Sequence, residues 1–486
     1  MGAIITDTLK RQMLQNLYDE ISTLDSHSYY VGIGRHLQWD SSDTIPALTG
    51  APKEELTARL NLQSIKPVTD VSWVVPRYNW TSGTTYQSYD DNVKGATGNG
   101  YYVLTDLNEV YICIQQGKSA TGVAAVSTVK PSFTTAGVDK IRAFKTADGY
   151  VWKFLYALSA TISSKFLTAN YLPIPAQTTD SAGAYTDFPF QQQQAQVQTA
   201  AAASNPGQVL GVVVTNEGAG YSGDPVVTIV GDGINAGATA FEDGGQVKKV
   251  ELNTSVDSAI AMGHNYNVAS VQFSGGGSPS VNATARIVMS PKGGLGADPK
   301  EDLKASSIMI NSKPAGVENV PGLVTIASPS GNTFFTGQDF RQVMLLRNPL
   351  DSSGDSAATG TGIPGKVARF LRVTDAADLS SGFVPDAIFT GVTSTAKGSI
   401  VTTEGDRLWF TQDETVTGFK QFSTGENLTV SGGTATIMNP NTYQTTDNAV
   451  SGEMNLHTGD VLYIDNRAAI ERSSIQTEDI KIILQL

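Results

Sequence analysis

Alternation of apolar and polar positions is the clearest pattern in this chain, and it is sharpest at the end. In IKIILQL, Ile480, Ile482, Leu484 and Leu486 fall on one face at period two, with Lys481, Ile483 and Gln485 on the other. Such a strand persists only by burying its apolar face, so the spacing predicts a docked closing strand. Val461 to Ile464 predicts a second short strand, set between turns at Thr458-Gly459-Asp460 and Asp465-Asn466-Arg467. Near the start the period lengthens. Ile5, Leu9, Met13, Leu17, Ile21 and Leu24 predict one helix over residues 4–24, capped by Thr6 or Asp7. The stripe is most simply a packing face, and a partner-binding helix is the alternative.

Residues 28–40 predict a strand running into a polar turn, and 100–114 a strand–turn–strand bending near Asp106-Leu107-Asn108. Over 177–207 the chain becomes polar and Ala-rich (QQQQAQVQTAAAAS), which predicts a linker or an exposed helix. Residues 208–290 predict an inserted β module with a weak repeat. VLGVVVTNEGAGYSGDPVVTIVGDG returns loosely as VKKVELNTSVDSAIAMGHNYNVASVQFSGGG, each half pairing β-branched runs with a Gly- or Asn-centred turn and an aromatic. A core spanning 1–176 resumes at 291–383, a second inserted β module covers 384–440, and 441–486 supplies the closing strands. The expected fold is mainly β: multi-layer β-sandwich domains with one N-terminal helix and inserted small β modules.

Composition sharpens this picture in one respect. Only 16% of the 486 residues are charged, against about 25% usually. Such a weakly charged surface suits a subunit buried in an assembly, though secreted β proteins share it. A net charge of −13 without a Lys/Arg cluster argues against nucleic-acid binding. The lone Cys113, in VYICI, reads as a buried strand residue and rules out an intrachain disulfide framework. No signal-peptide pattern opens the chain and no run has the length of a membrane span. Met1-Gly2 with Thr6 fits the loose myristoylation pattern, with chance as the simpler account.

No catalytic, cofactor or metal constellation stands out. The four histidines, His27, His36, His264 and His457, lack metal-ligand spacing. Gly231-Asp232-Gly233 reads as a turn, and no phosphate loop or nucleophile elbow is present. Glu54-Glu55, Asp90-Asp91 and Glu301-Asp302 read as solvated or helix-start charges; a spatial glycosidase pair stays open in principle. Trp39, Trp73, Trp80 and Trp152 are expected as core or interface anchors. Arg35, Arg77, Arg341 and Arg467 sit beside turns, each expected to bond loop carbonyls or a local acid, with at least one crossing an interface instead.

Several short blocks share a further property. They are Gly34-Arg35 with Trp39; Pro76-Arg77 with Trp80; Tyr111-x-Cys113; Asp148-Gly149-Tyr150-Val151-Trp152; and Phe340-Arg341-Gln342 with Asn348-Pro349-Leu350. The last comprises His457, Gly459, Asp460, Asp465-Asn466-Arg467 and Gln476-Thr477-Glu478. In kind and order these resemble the baseplate wedge protein of T-even-type contractile-tailed bacteriophages, the family of the product of gene eight. The resemblance covers the N-terminal third, a central strand region and the tail; residues 208–290 have no evident counterpart. It implies a non-enzymatic homodimer of β-sandwich domains, made in the bacterial cytoplasm and carried in the virion's tail baseplate. Its partners would be other wedge proteins, with no cofactor, nucleic acid or membrane. The alternative is a glycan-binding tail fibre or adhesin with residues 208–290 and 384–440 as its modules, and a secreted hydrolase is a third class. A solution dimer without sugar affinity distinguishes the first from a fibre, which is usually trimeric.

Overall fold

The computed structural model describes residues 5–22, 28–68, 70–132, 138–178, 182–203, 206–254, 260–316, 334–355, 365–423, 425–438, 449–450, 452–473 and 475–486. Strands hold 40% of the chain and helices 13%, so the protein is mainly β, built from many small antiparallel sheets with few helices and consistent with a β-sandwich-rich protein. Two compact units divide it: residues 1–14, 72–309 and 483–486, and residues 15–71 and 310–482. His27 and Leu24 lie outside the described residues.

In the first unit, strands Tyr102–Leu104 and Glu109–Gln115 form the expected hairpin. Asn108 takes the left-handed bend (φ 58°) and donates its N–H to the Thr105 carbonyl at 3.0 Å. The second of these strands pairs with Val151–Ala157, and Ala143–Lys145 completes a four-stranded sheet. Both faces of these strands are covered, which is why they read as continuous aromatic and aliphatic runs. Cys113 is buried among Tyr111, Tyr150, Trp152 and Phe154, as expected.

The expected linker or exposed helix is instead a packed helix, Phe190–Ala202. Gln191, Gln194, Val197 and Ala201 recur at helical spacing and are buried, and Val197 joins the core around Trp152. The glutamines tolerate burial because Gln191 Nε2 donates to the Ala176 carbonyl (2.9 Å) and Gln194 Nε2 to that of Pro175 (3.1 Å). Their polarity concealed the packing face.

Residues 209–289 form a module of small antiparallel pairs. Its first and last strands, Val209–Asn216 and Thr284–Met289, pair with each other, Val209 opposite Met289. Gln246–Leu252 pairs with Ala238–Asp243, and Val226–Gly231 with Ala269–Ser274. The repeat is visible in packing. A Cβ on Gly218 would meet the Val281 carbonyl, the Ala283 nitrogen and the Tyr221 ring. One on Gly263 would meet the Ile234 carbonyl, the Ala236 nitrogen and the Tyr266 ring. Both tyrosines are buried, so each half closes around the same Gly–Tyr contact.

The N-terminal helix is Asp7–Ser22, with Thr6 Oγ1 accepting from the Leu9 N–H at 3.3 Å. Leu14 and Ile21 are buried, but Ile5, Leu9 and Met13 are exposed, so only part of the stripe packs within this chain. It is not the sole helix. Pro52–Leu60, Ala160–Phe166, Phe190–Ala202 and Pro299–Asp302 are also α-helical.

In the second unit a four-stranded sheet runs in the order Leu62–Pro67, Tyr29–Gly34, Asp339–Arg347, Asp460–Glu471. Every residue of Tyr29–Gly34 is buried. At Gly34 a Cβ would stand 2.6 Å from the Asn61 carbonyl oxygen, so only glycine allows the two strands this approach. A seven-stranded sheet contains Ile388–Gly391, Lys397–Glu404, Arg407–Thr411, Asn427–Val430 and Gly433–Thr436. It also takes in Arg369–Arg372 and Ala449–Val450, on either side of the expected 384–440 module. Its core centres on Phe389, Phe410 and Phe422, with the Phe389 and Phe422 rings stacked 5.2 Å apart.

The turn expected at Asp465-Asn466-Arg467 is not a turn; all three lie inside the strand Asp460–Glu471. The signal had a physical source. Gln342 stands opposite Asn466 and Phe340 opposite Ile470, so residues 467–469 face a single residue across the ladder, a bulge.

Candidate functional site

Three of the sequence blocks converge in the second unit. Gly34 ends its strand and Arg35 turns the chain, at a left-handed φ of 55° and with its N–H on the Asn61 carbonyl (2.9 Å). That conformation is uncommon for a residue with a side chain, and the side chain is fastened on several sides. Arg35 Nη2 donates to the Gln38 carbonyl at 3.0 Å, Nη1 lies 3.5 Å from Asp413, and the guanidinium sits 4.3 Å above the Trp39 ring. Burial holds the Arg35 guanidinium below its ordinary value, with Asp413 acting against that shift.

Arg341 fastens the same loop from the neighbouring strand. Its Nε donates to both Asp43 oxygens (3.0 Å each), one amino group bonds the His36 carbonyl, and the other donates to Asp339 (3.1 Å). Asp43, also left-handed at φ 52°, accepts the Trp39 N–H at 2.9 Å. Burial pushes its carboxyl up, but the Trp39 N–H and Arg341 outweigh that and hold it below the usual range. From the third block, Asn466 Oδ1 accepts from Gln342 Nε2 (2.8 Å) and its Nδ2 donates to the Pro46 carbonyl (3.1 Å). The Arg467 carbonyl takes the Trp39 indole N–H at 3.0 Å, and the Arg467 side chain pairs with Asp465 at 2.7 Å. Of these residues Arg35, Trp39, Pro46, Gln342 and Asn466 line a cleft of about 330 Å³, together with Leu48, Lys53 and Glu54 among others.

A second meeting joins Asn348-Pro349 to the region of Gly459. Asn348 is left-handed (φ 50°) with its N–H on the Ser28 carbonyl, and Gly459, at φ 78°, packs against Pro349.

Two blocks of the first unit meet at Ser127. Trp80 Nε1 donates to Ser127 Oγ (3.1 Å), and that hydroxyl donates to Asp148 (3.1 Å), which also accepts the N–H groups of Thr128 and Val129. Gly149 completes the Asp148 turn at φ 85°. Trp152 is fully buried, stacked on Tyr150 at 5.6 Å. Pro76 ends the strand Asp70–Pro76 with its carbonyl on the Tyr102 hydroxyl. Arg77 donates to the Thr168 carbonyl at 2.8 Å. All four arginines thus bond carbonyls or acids of their own chain.

Sequence reasoning missed two sets of residues. His36, read only as one of four scattered histidines, has Nδ1 2.7 Å from Asp386 and Nε2 2.9 Å from the Thr411 hydroxyl. This is the connectivity of an acid–base–hydroxyl relay, with His36 and Thr411 both buried. The partners are supplied by distant strands, and no local signal marks them. Asp302, expected as a solvated or helix-start charge, does lie in the first turn of the helix Pro299–Asp302, but it is fully buried, with Lys153 buried too. Burial raises the Asp302 carboxyl well above its ordinary value and lowers the Lys153 ammonium to about 8, opposed there by the Asp302 charge. Asp302 accepts the Gly296 N–H (3.0 Å) and Lys153 donates to the Ile141 carbonyl (3.1 Å).

The other acids behave as expected. Glu54 and Glu55 lie in the first turn of Pro52–Leu60, and Asp90 and Asp91 pair with Arg286. Exposed Asp232 is held down to about 2 by hydrogen bonds from Asn267 and Val268 that close its turn. Among the described residues, no group of three or more His, Cys, Asp or Glu could hold a metal, and no helix is long and apolar enough to cross a membrane. A comparison with protein-family models finds no match, and a comparison with curated proteins finds none either.

Proposed function

We propose that this chain is a non-enzymatic structural subunit of a contractile-tail baseplate wedge. In this reading it is a homodimer that joins other wedge proteins and moves as a rigid body when the baseplate triggers sheath contraction. One observation carries it. The blocks that resemble the wedge family, far apart in sequence, bond one another: Arg35 and Trp39, Arg341 and Gln342, and Asn466 and Arg467 interlock around one loop. Their polar groups go into fixing backbone, including the left-handed Arg35 and Asp43. Fixing a loop in this way suits a part that transmits force through shape.

Mass spectrometry and antibody labelling of purified tailed particles test the proposal. The expected result is this chain at the tail end of the particle, with the isolated protein sedimenting as a dimer. Its absence from particles, or substrate turnover by a monomer, would overturn the proposal. Glycan-array binding lost on removal of residues 208–290 would favour the adhesin instead.

A further inference from the structure

Where the strand Val209–Asn216 passes the loop of residues 87–97, the first unit holds a cleft of about 330 Å³. A glycine keeps it open. Gly211 stands opposite Val288 and Val213 opposite Arg286, so these four share one face of the strand pair. Arg286 reaches Asp90 and Asp91 from that face, which turns it towards the loop, and Gly211, Val213 and Val288 all line the cleft. A Cβ on Gly211 would meet nothing within 4 Å, so packing does not call for glycine there. The ladder bulges at neighbouring Leu210, but the φ of Gly211 is not left-handed, so the bulge does not call for it either. Glycine inside a strand costs stability and marks a place where a ligand or another backbone comes close. With no protein atom near that Cβ, a ligand is the account that fits.

The polar lining favours an anion. The chain carries −13 overall, yet the ammonium groups of Lys118, Lys249 and Lys304 line this cleft against only two carboxylates, Asp90 and Glu251. Both carboxylates are already neutralised, Asp90 by Arg286 and Glu251 by Lys145 as well as Lys249. Lys304 is spent on the carbonyls of Asp90 and Val93. Lys118 offers its carbonyl to Lys249 (3.4 Å), and its own ammonium has no ion-pair partner among the described residues. Gln87 Oε1 accepts from the Thr97 hydroxyl (3.0 Å) and Gln115 Oε1 from the Leu252 N–H (3.2 Å), which leaves both amides N–H groups to offer. Of the three lining glutamines only Gln116 is spent as a donor, to the Tyr86 carbonyl at 2.7 Å.

We infer that this cleft is a binding site for a small oxyanion, a carboxylate or phosphate carried on a compact apolar body. The oxyanion takes the Lys118 ammonium and glutamine N–H groups, and the body rests on Val213 and Val288 in the space that Gly211 leaves. The inference makes no use of the baseplate proposal. Calorimetric titration of the full chain with benzoate, phenyl phosphate and benzamide tests it, since the three share one ring and differ in the group it carries. Saturable binding of benzoate supports a carboxylate ligand, and of phenyl phosphate a phosphate one. Benzamide is expected to bind at least about tenfold more weakly, for want of charge-assisted hydrogen bonds. Gly211→Leu should fill the cleft and abolish anion binding while the chain still melts cooperatively, because the new side chain enters open space. Lys118→Gln, at an exposed position, should weaken the anion about tenfold and leave benzamide unchanged; it decides the matter alone if Gly211→Leu does not fold. Three results would each overturn the inference: no saturable binding of either anion, equal binding of benzamide, or anion binding kept in full by a folded Gly211→Leu or by Lys118→Gln.

Discussion

The two units secure their resembling blocks by different physics. Around Trp152 the fixing is aromatic: Tyr86, Tyr150 and Trp152 pack ring on ring, and the Tyr150 hydroxyl finds the Ala125 carbonyl at 2.6 Å. Around Arg341 it is ionic: Arg341, Asp43, Asp339, Arg35 and Asp413 hold a loop that buries little apolar surface. Apolar packing is non-directional and its strength follows buried area, whereas forked guanidinium pairs fix angles as well as distances. The first arrangement resists unfolding, and the second sets the path of a loop.

Mutation separates the two most sharply at their centres. Trp152→Ala should cost about 3–5 kcal/mol in urea unfolding, the range for emptying a buried aromatic site; a loss under about 1 kcal/mol would mean that the aromatic cluster is not a core. Arg341→Ala leaves Asp43 and Asp339 without their partner. Asp43 retains some solvent contact, so the expected loss is smaller, about 2–3 kcal/mol. Arg341→Lys should recover less than half of it, because one ammonium cannot reach Asp43, Asp339 and the His36 carbonyl together. Full recovery would show that charge alone, without fork geometry, holds the loop.

The aromatic unit also contains a titrating pair, and pH probes it without a large deletion. Burial lowers Lys153 to about 8. Between about pH 8 and the ordinary lysine value the unfolded chain therefore holds a proton that the folded chain has shed, and stability rises with pH. Relative to Lys153→Met, the native protein should gain on the order of 3 kcal/mol across that window, measured by urea titration at a series of pH values. A difference that stays flat would place the ammonium in contact with water. Asp302 acts in the opposite sense: its raised carboxyl makes the folded chain keep the extra proton, so its contribution falls as pH climbs from the acid range. The smallest effect belongs to Arg467→Ala. Its pair with Asp465 is exposed and Trp39 uses only the Arg467 carbonyl, so a loss within about 0.5 kcal/mol is expected. A larger loss in thermal melts would mean that the side chain carries load in the bulge.

Period-two alternation made the closing strand legible: Ile480 and Ile482 are buried as their spacing required, while Leu484 is half-buried and Leu486 exposed at the end of the same face. The hairpin over Asn108 and the burial of Cys113 were equally readable, because a turn residue and an apolar run are local signals. Failures arose where a partner comes from elsewhere in the chain. Gln191 and Gln194 look solvated until the carbonyls of Pro175 and Ala176 are set beside them. Asp302 is the helix-start charge it looks like, but its burial is invisible until the surrounding elements close over it. Asp465-Asn466-Arg467 has turn composition because a bulge, like a turn, needs residues that bond outside the ladder. The blocks around Arg35 were legible as blocks; their convergence, and the relay through His36, exist only in three dimensions.

The pairing of Val209–Asn216 with Thr284–Met289 brings the entrance and exit of the repeat module side by side. A segment whose two ends meet makes no demand on the spacing of the chain that carries it. Its host sees the same short gap whether the segment is long, short or missing. Ancestral sequences could therefore acquire, exchange or discard such an appendage in one genetic event, without redesigning the body to which it is attached.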